Sequence, residues 1–309
     1  MITRGLKGLQ DTISVTCVHP TWQKTSDDED DSHCGWVFAA EEGSDKTFTN
    51  SAGLGGPFPA ALPGCEPNPL FDCFSVRDIY DKARDTEGKY TVPILWDTKK
   101  NTIVSNESSE IIQMLNRCFN GFAKNPNLNL EPDELKDEMA AVDKWIYDTL
   151  NNGVYRCGFA ASQEAYDTAI AELTDSFDRV DKILQNQRFI AGGQITLSDI
   201  RLIPTLLRFD EVYAVYFKCN TRSVRYTTAM LEYCREIYQM AGVKETTNMH
   251  QIKMHYYTSH PHFNKFSVIP QGANFLSHLE QPHQRSKTLA SKKQKTSTTS
   301  PQYLSAPAS

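Results

Sequence analysis

Nowhere among the eight cysteines (Cys17, Cys34, Cys65, Cys73, Cys118, Cys157, Cys219 and Cys234) do two stand as a CxxC pair. That dispersal speaks against a local redox motif and against zinc, so no metal is expected. Reduced thiols in the cytoplasm are the expectation instead. Long apolar runs are missing too, so no membrane contact is expected. Residues 1–20 carry no signal-peptide core, because Lys7, Gln10 and Asp11 interrupt them. Basic charge is in deficit: 32 Lys and Arg against 38 Asp and Glu give a formal charge of -6, which argues against a nucleic-acid partner. The 309 residues suffice for one large or two ordinary domains.

The stretch that is present and informative runs from Lys89 to Leu115. Two short apolar segments, Lys89–Asp97 and Thr102–Ser105, flank a turn at 97–101 and suit strands. Pro93 cannot donate to a ladder and belongs at a strand start. Then come Ser105-Asn-Glu-Ser and apolar residues at helical spacing (Ile111, Ile112, Leu115). Spacing alone is satisfied by a plain capping box and an edge proline. The same residues could hold an anion, because a helix start offers free N–H groups and the positive dipole end. Ser108 adds a hydroxyl, and Glu107 can hold an ammonium group. Val92 could offer backbone hydrogen bonds to a peptide-like ligand if its bond to Pro93 is cis.

Elsewhere, residues 2–12 read as the back end of a helix and Ile13–Val18 as a strand ended by His19-Pro20. The acidic run 26–32 reads as a solvated loop insert. Residues 50–69, rich in Gly, Pro and Ala, read as irregular. A helix is expected over 75–83, with Val76, Ile79, Tyr80 and Ala83 on one face. Residues 120–133 break periodicity and mark a domain boundary. Beyond them the chain is helical. One stripe runs through Leu135, Met139, Val142, Ile146 and Leu150, and another through Ala165, Ala169, Leu173, Phe177, Val180 and Leu184. Thr196-Leu-Ser-Asp199 is a capping signal, Pro204 lies inside the helix it starts, and a further helix covers 227–240. Residues 281–309, with five basic residues and no acidic one, read as a disordered tail.

Thr91-Val-Pro followed by Asn106-Glu-Ser-Ser-Glu resembles the thioredoxin-fold glutathione site of glutathione transferases. The wording from Thr91 to Ile112 is similar to that of the Xi class, the glutathionyl-hydroquinone reductases. So are Asn151-Asn-Gly-Val-Tyr155, Gly158-Phe-Ala, Arg208-Phe-Asp210, Phe217-Lys-Cys219 and Tyr238-Gln-Met240. Several motifs in the right order are far more specific than any one. The resemblance implies an incomplete α/β thioredoxin-like domain over 1–119, a linker over 120–133, and an all-α domain over 134–280. The last ends in an extension, near 255–270, that returns to the active site.

It also implies an enzyme with glutathione as co-substrate and no permanently bound cofactor. The activity would be glutathione-dependent reduction of aromatic, quinone-derived glutathione conjugates by thiol exchange. Trp36, Lys89, Tyr90, Thr91, Val92, Glu107 and Ser108 would hold glutathione. Tyr155 would donate the proton, and Tyr213 and Tyr256 would line the pocket and tune the thiolate. Family members are often dimers, which leaves a homodimer open. One departure matters most. The family's Cys-Pro-Trp-Ala turn would lie upstream of Met1, so the nucleophilic cysteine and the first, central strand are absent as written. Removing a strand would leave roughly twice the ~4.8 Å spacing between its neighbours. This chain is therefore expected to be inactive by itself. The alternative is a glutathione-transferase-like binding or scaffold module without catalysis.

Overall fold

The computed structural model describes residues 1–26 and 28–285. The chain opens on α1 (Ile2–Lys7), which stops at Gly8 in the left-handed region, φ 66°. The open carbonyls of α1 are satisfied by the domain boundary: Asn125 N–H bonds Lys7 O at 3.1 Å, and the Asn125 side chain bonds Leu6 O at 2.7 Å. Lys7 is fully buried and donates to Asn120 Oδ1 (2.6 Å) and Leu128 O (2.7 Å). Gly5 meets Gly242 backbone to backbone, so closely that a Cβ on Gly5 would stand 1.9 Å from the Gly242 oxygen. Ile2 and Leu6 therefore join the core of the helical half.

The expected strand over 13–18 is not one. Residues 14–18 join no ladder, and Cys17 O accepts a single bond from Glu66 N–H. The alternation of Ile13, Val15 and Cys17 suits a strand, but a strand needs a neighbour to pair with, and none runs beside it among the described residues. Pairing begins later, with β1 (His19–Lys24) antiparallel to β2 (Cys34–Val37). Pro20, expected to end a strand, lies inside β1, where the register shifts between His19 and Gln23. The acidic run connects these two strands, and its Asp31 pairs with Arg77. Residues 50–69 are irregular apart from β4 (Phe58–Pro59), which pairs with β3 (Thr47–Phe48). Helix α2 (Val76–Lys82) starts at a Ser75/Asp78 capping box.

The central hairpin forms, but its first strand is cut from the expected 89–97 to three residues, because residues 89–94 join no ladder. β5 (Leu95–Asp97) pairs with β6 (Thr102–Ser105). Asp97 Oδ1 accepts from the N–H groups of Lys99 and Lys100, and Asn101 takes φ 57°. Helix α3 (Ser108–Arg117) buries Ile111 and Leu115 against Leu9.

Residues 120–132 are irregular. The helical half comprises α4 (Lys136–Ile146), α5 (Gly153–Gly158), α6 (Gln163–Leu184), α7 (Leu197–Arg208), α8 (Ala214–Tyr216), α9 (Thr228–Tyr238), α10 (Met249–Thr258) and α11 (Phe275–Leu279). Both expected stripes face the core, except that Ala165 is exposed. Asp199 Oδ2 accepts from both the N–H and the hydroxyl of Thr196. Burial raises the Asp199 carboxyl to about 6. The tail expectation over 281–309 is corrected at its start. Arg285 is buried and donates to the carbonyls of Leu184, Gln187, Arg188 and Ala229 at 2.8–3.1 Å. Residues 286–309 lie outside the described residues.

Candidate active site

α5 begins after a π-helical turn (Tyr147–Asn151) and carries Tyr155 on its first full turn. A second π-helical turn (Phe209–Tyr213) ends on Tyr213 and follows α7. α10 supplies Tyr256. These three expected tyrosines, far apart in sequence, meet hydroxyl to hydroxyl. Tyr155 and Tyr256 stand 2.6 Å apart, and Tyr213 and Tyr256 3.0 Å. Phe217 packs them together, its ring stacked on Tyr213 and within 6 Å of the other two ring centres. Phe217 can come this near α5 only because residue 158 is glycine: a Cβ there would lie 2.2 Å from the Phe217 ring. Burial, and then the neighbouring tyrosines, push the Tyr213 hydroxyl well above the ordinary phenol range, and burial does the same to Tyr256. Both are held as neutral hydroxyls. Tyr155 is 36% exposed, so it is the end of the line that opens to solvent.

The second group of expected residues forms a ledge. Tyr80 OH donates to Thr91 O at 2.9 Å, and Asn106 Nδ2 donates to Tyr80 OH at 2.9 Å and to Thr91 Oγ1 at 3.4 Å. This network ties the 89–92 segment to the start of α3. There Ser105 Oγ accepts from Glu107 N–H and donates to Glu110, while Glu107 and Ser108 stay exposed. The Val92–Pro93 peptide is cis and Val92 is exposed. Tyr90 faces His33 and Arg77. Lys89 O accepts from Thr91 N–H at 2.9 Å, and the Lys89 ammonium makes an exposed 3.9 Å pair with Glu87.

Trp36 reaches the tyrosines through α10. Carried on β2, it stacks on His255 with ring centres 4.3 Å apart, and His255 adjoins Tyr256 on α10. α10 is itself fastened to β1. Thr21 and Thr258 share a 2.8 Å hydroxyl bond, Ser259 Oγ accepts from Trp22 N–H, and His255 Nδ1 lies 2.9 Å from Pro20 O. Burial lowers His255 to about 4, so the ring is neutral near pH 7.

Four site residues were missed by sequence reasoning: Tyr80, Asn106, Phe217 and His255. Tyr80 looked like one more apolar residue on its helix face. Asn106 and Phe217 stood inside recognised motifs without a role. His255 opened the extension expected to return to the active site, but it was given no role of its own.

None of the eight cysteines joins the hydroxyl line. Cys157 and Cys219 are buried behind it, and burial pushes Cys17 and Cys65 up, the latter to about 12.

Residues 163–235 match the family model for the glutathione S-transferase C-terminal domain. The chain is 38% identical to the glutathionyl-hydroquinone reductase YqjG of Escherichia coli, over 92% of this chain and 77% of that protein. It is 34% identical to the glutathionyl-hydroquinone reductase PcpF of Sphingobium chlorophenolicum, over 88% and 77%. Among solved structures, glutathione-bound YqjG superposes with a TM-score of 0.79, covering 92% of this chain and 83% of that one. The Xi class transferase from Natrialba magadii gives the same TM-score at 36% identity, over 93% and 78%. Identity of this degree across a thioredoxin-like half and a helical half places the chain in an enzyme family, the Xi-class glutathione transferases or glutathionyl-hydroquinone reductases.

Proposed function

We propose that the protein binds glutathione on the ledge of Thr91, Val92, Glu107 and Ser108, with Trp36, Lys89 and Tyr90 around it. Quinone-derived glutathione conjugates would be received beside Tyr155. The observation that carries this reading is the hydroxyl line Tyr155–Tyr256–Tyr213, open to solvent only at Tyr155. In the reaction a cysteine thiolate attacks the glutathione sulfur of the conjugate. The sulfur–aryl bond breaks, its electron pair stays on the ring carbon, and that carbon takes a proton from Tyr155. A protein–glutathione disulfide remains. A second glutathione thiolate resolves it, releasing oxidised glutathione and restoring the thiolate. Tyr256 and Tyr213, held neutral, steady the donor. A reducing cytoplasm would keep the thiols in the form this cycle needs.

Turnover by these 309 residues alone is a separate matter. No described cysteine thiol bonds a hydroxyl of the three tyrosines, so we read the chain as written as able to bind but not to turn over. A binding module without catalysis is the second reading, and it rests on that same placement. Calorimetric titration with glutathione tests the first claim. Saturable binding is expected, weakened about tenfold by Ser108→Ala, the loss of one hydrogen bond to a charged group. Absence of binding would sink the proposal. Mixing the chain with glutathione and a glutathionyl-hydroquinone tests the second claim, and release of free hydroquinone would show that one of the eight cysteines serves after all.

A further inference from the structure

Two thiols that the reaction does not use stand together behind the hydroxyl line. Cys157 lies on the last turn of α5, and Cys219 lies on the segment that follows α8; both are buried. Their side chains share a hydrogen bond. Cys219 Sγ also lies 3.8 Å from Val154 O, one turn back along α5, so the two segments are packed on each other here. Both segments carry the tyrosines. Tyr155 precedes Cys157 by two residues, and the Cys219 N–H bonds Tyr213 O at 3.0 Å. Phe217, whose ring packs the three tyrosines, precedes Cys219 by two residues. The shared hydrogen bond holds the Cys157 thiol below its ordinary range, and the same bond, with burial, pushes Cys219 up. One member of the pair is thus the readier nucleophile, and the other is its immediate neighbour.

We propose that Cys157 and Cys219 form a redox site that a hydroperoxide closes to a disulfide, and that closure draws α5 onto the Phe217 segment and displaces the tyrosines. The Cys157 thiolate attacks one peroxide oxygen. The O–O bond breaks, and the other oxygen takes a proton and leaves as an alcohol, or as water from hydrogen peroxide. Cys157 is left as a sulfenic acid. The Cys219 sulfur then attacks the Cys157 sulfur. The S–S bond forms, the S–O bond breaks, and hydroxide leaves as water with the Cys219 proton. Two thiols are oxidised and one peroxide is reduced. Burial of both sulfurs leaves no room for an oxidant the size of a glutathione disulfide, so the pair closes on itself and takes up no glutathione. An S–S bond is about 2 Å long, so two hydrogen-bonded sulfurs must approach by roughly 1–2 Å. Gly158 and Phe217 leave no slack for this: a Cβ on Gly158 would already stand 2.2 Å from the Phe217 ring. Phe217 has to shift, and the tyrosines packed on it shift as well. The inference stands on the packing of the two thiols and does not depend on glutathione binding.

The test treats the full chain, reduced and then freed of reductant, with hydrogen peroxide. Remaining thiols are blocked, and peptides are mapped under non-reducing conditions. The peptides of Cys157 and Cys219 should be found joined in most molecules, and dithiothreitol should separate them. Near-UV circular dichroism should change in the tyrosine region when the unsubstituted chain is oxidised, and stay constant when Cys157→Ala is. Free Cys157 and Cys219 in a chain whose exposed Cys118 has been oxidised would overturn the site. So would joining of Cys17 to Cys65 in their place, or glutathione carried on Cys157 after exposure to oxidised glutathione. An unchanged tyrosine signal with the bond formed would overturn the link to the hydroxyl line. The mapping of the unsubstituted chain stands on its own if the variant fails to fold.

Discussion

Tyr256 stands in the middle of the hydroxyl line, and its removal should be felt on both sides. Tyr256→Phe leaves the buried Tyr213 hydroxyl without its partner, which should lower stability by about 1–3 kcal/mol. Tyr155→Phe acts at the solvent end, where water can replace the lost bond, and should cost less than about 1 kcal/mol. Urea unfolding of the two variants checks the order; equal losses would mean that the hydroxyls do not act as one line. His255 gives a pH test. Its folded value, about 4, is depressed below its ordinary 6.5. Folding therefore favours the neutral ring. That contribution is complete above pH 6.5 and is lost as pH falls through 4, to the extent of roughly 3 kcal/mol. His255→Phe keeps a ring against Trp36 but cannot titrate. Between pH 7 and 4.5 its stability should fall less steeply than that of the unsubstituted protein. The ring nitrogen's bond to Pro20 O is also lost, so the variant should start from a lower value at pH 7.

At the scale of elements, the close approaches decide which substitutions the fold tolerates. Gly158→Ala drives a methyl into Phe217, and overpacking of this kind costs about 1–3 kcal/mol. Thermal unfolding should register it, and near-UV circular dichroism should show the tyrosines disturbed. A variant with unchanged Tm would mean that α5 and the Phe217 segment can separate freely. The elements themselves were largely legible. The central hairpin, its helix, the two apolar stripes and the Thr196–Asp199 cap are local patterns, and local patterns suffice to place them. The segment 13–18 was not legible as it stands, because alternation cannot say whether a partner strand exists. The site was half legible. Motif resemblance singled out Tyr155, Tyr213 and Tyr256, and the structure brings them within hydrogen-bonding distance. Tyr80 and His255 act through contacts with residues distant in sequence, and no spacing rule reports those.

Across the whole molecule, the two halves are stitched at several points. α1 lies on the helical core and α10 is fastened to β1, while within the helical half Arg285 gathers carbonyls at the end of α6 and on α9. Arg285→Ala would leave those carbonyls short of donors and should destabilise the fold by about 2–4 kcal/mol. Chemical denaturation checks this, and a loss under about 0.5 kcal/mol would mean that water replaces the guanidinium without penalty.

The strap between β1 and α10 also has a meaning in time. Thr21 and Thr258 are 237 residues apart. At ordinary rates of synthesis, roughly ten to fifty seconds separate their emergence from the ribosome. During that interval β1 and Trp36 have no α10 to rest on, and the tyrosine line lacks its middle member. The site is therefore among the last parts of the molecule that can come into being, and a nascent chain arrested before residue 250 would carry the ledge, Tyr155 and Tyr213 without the Tyr256 hydroxyl that joins the two tyrosines.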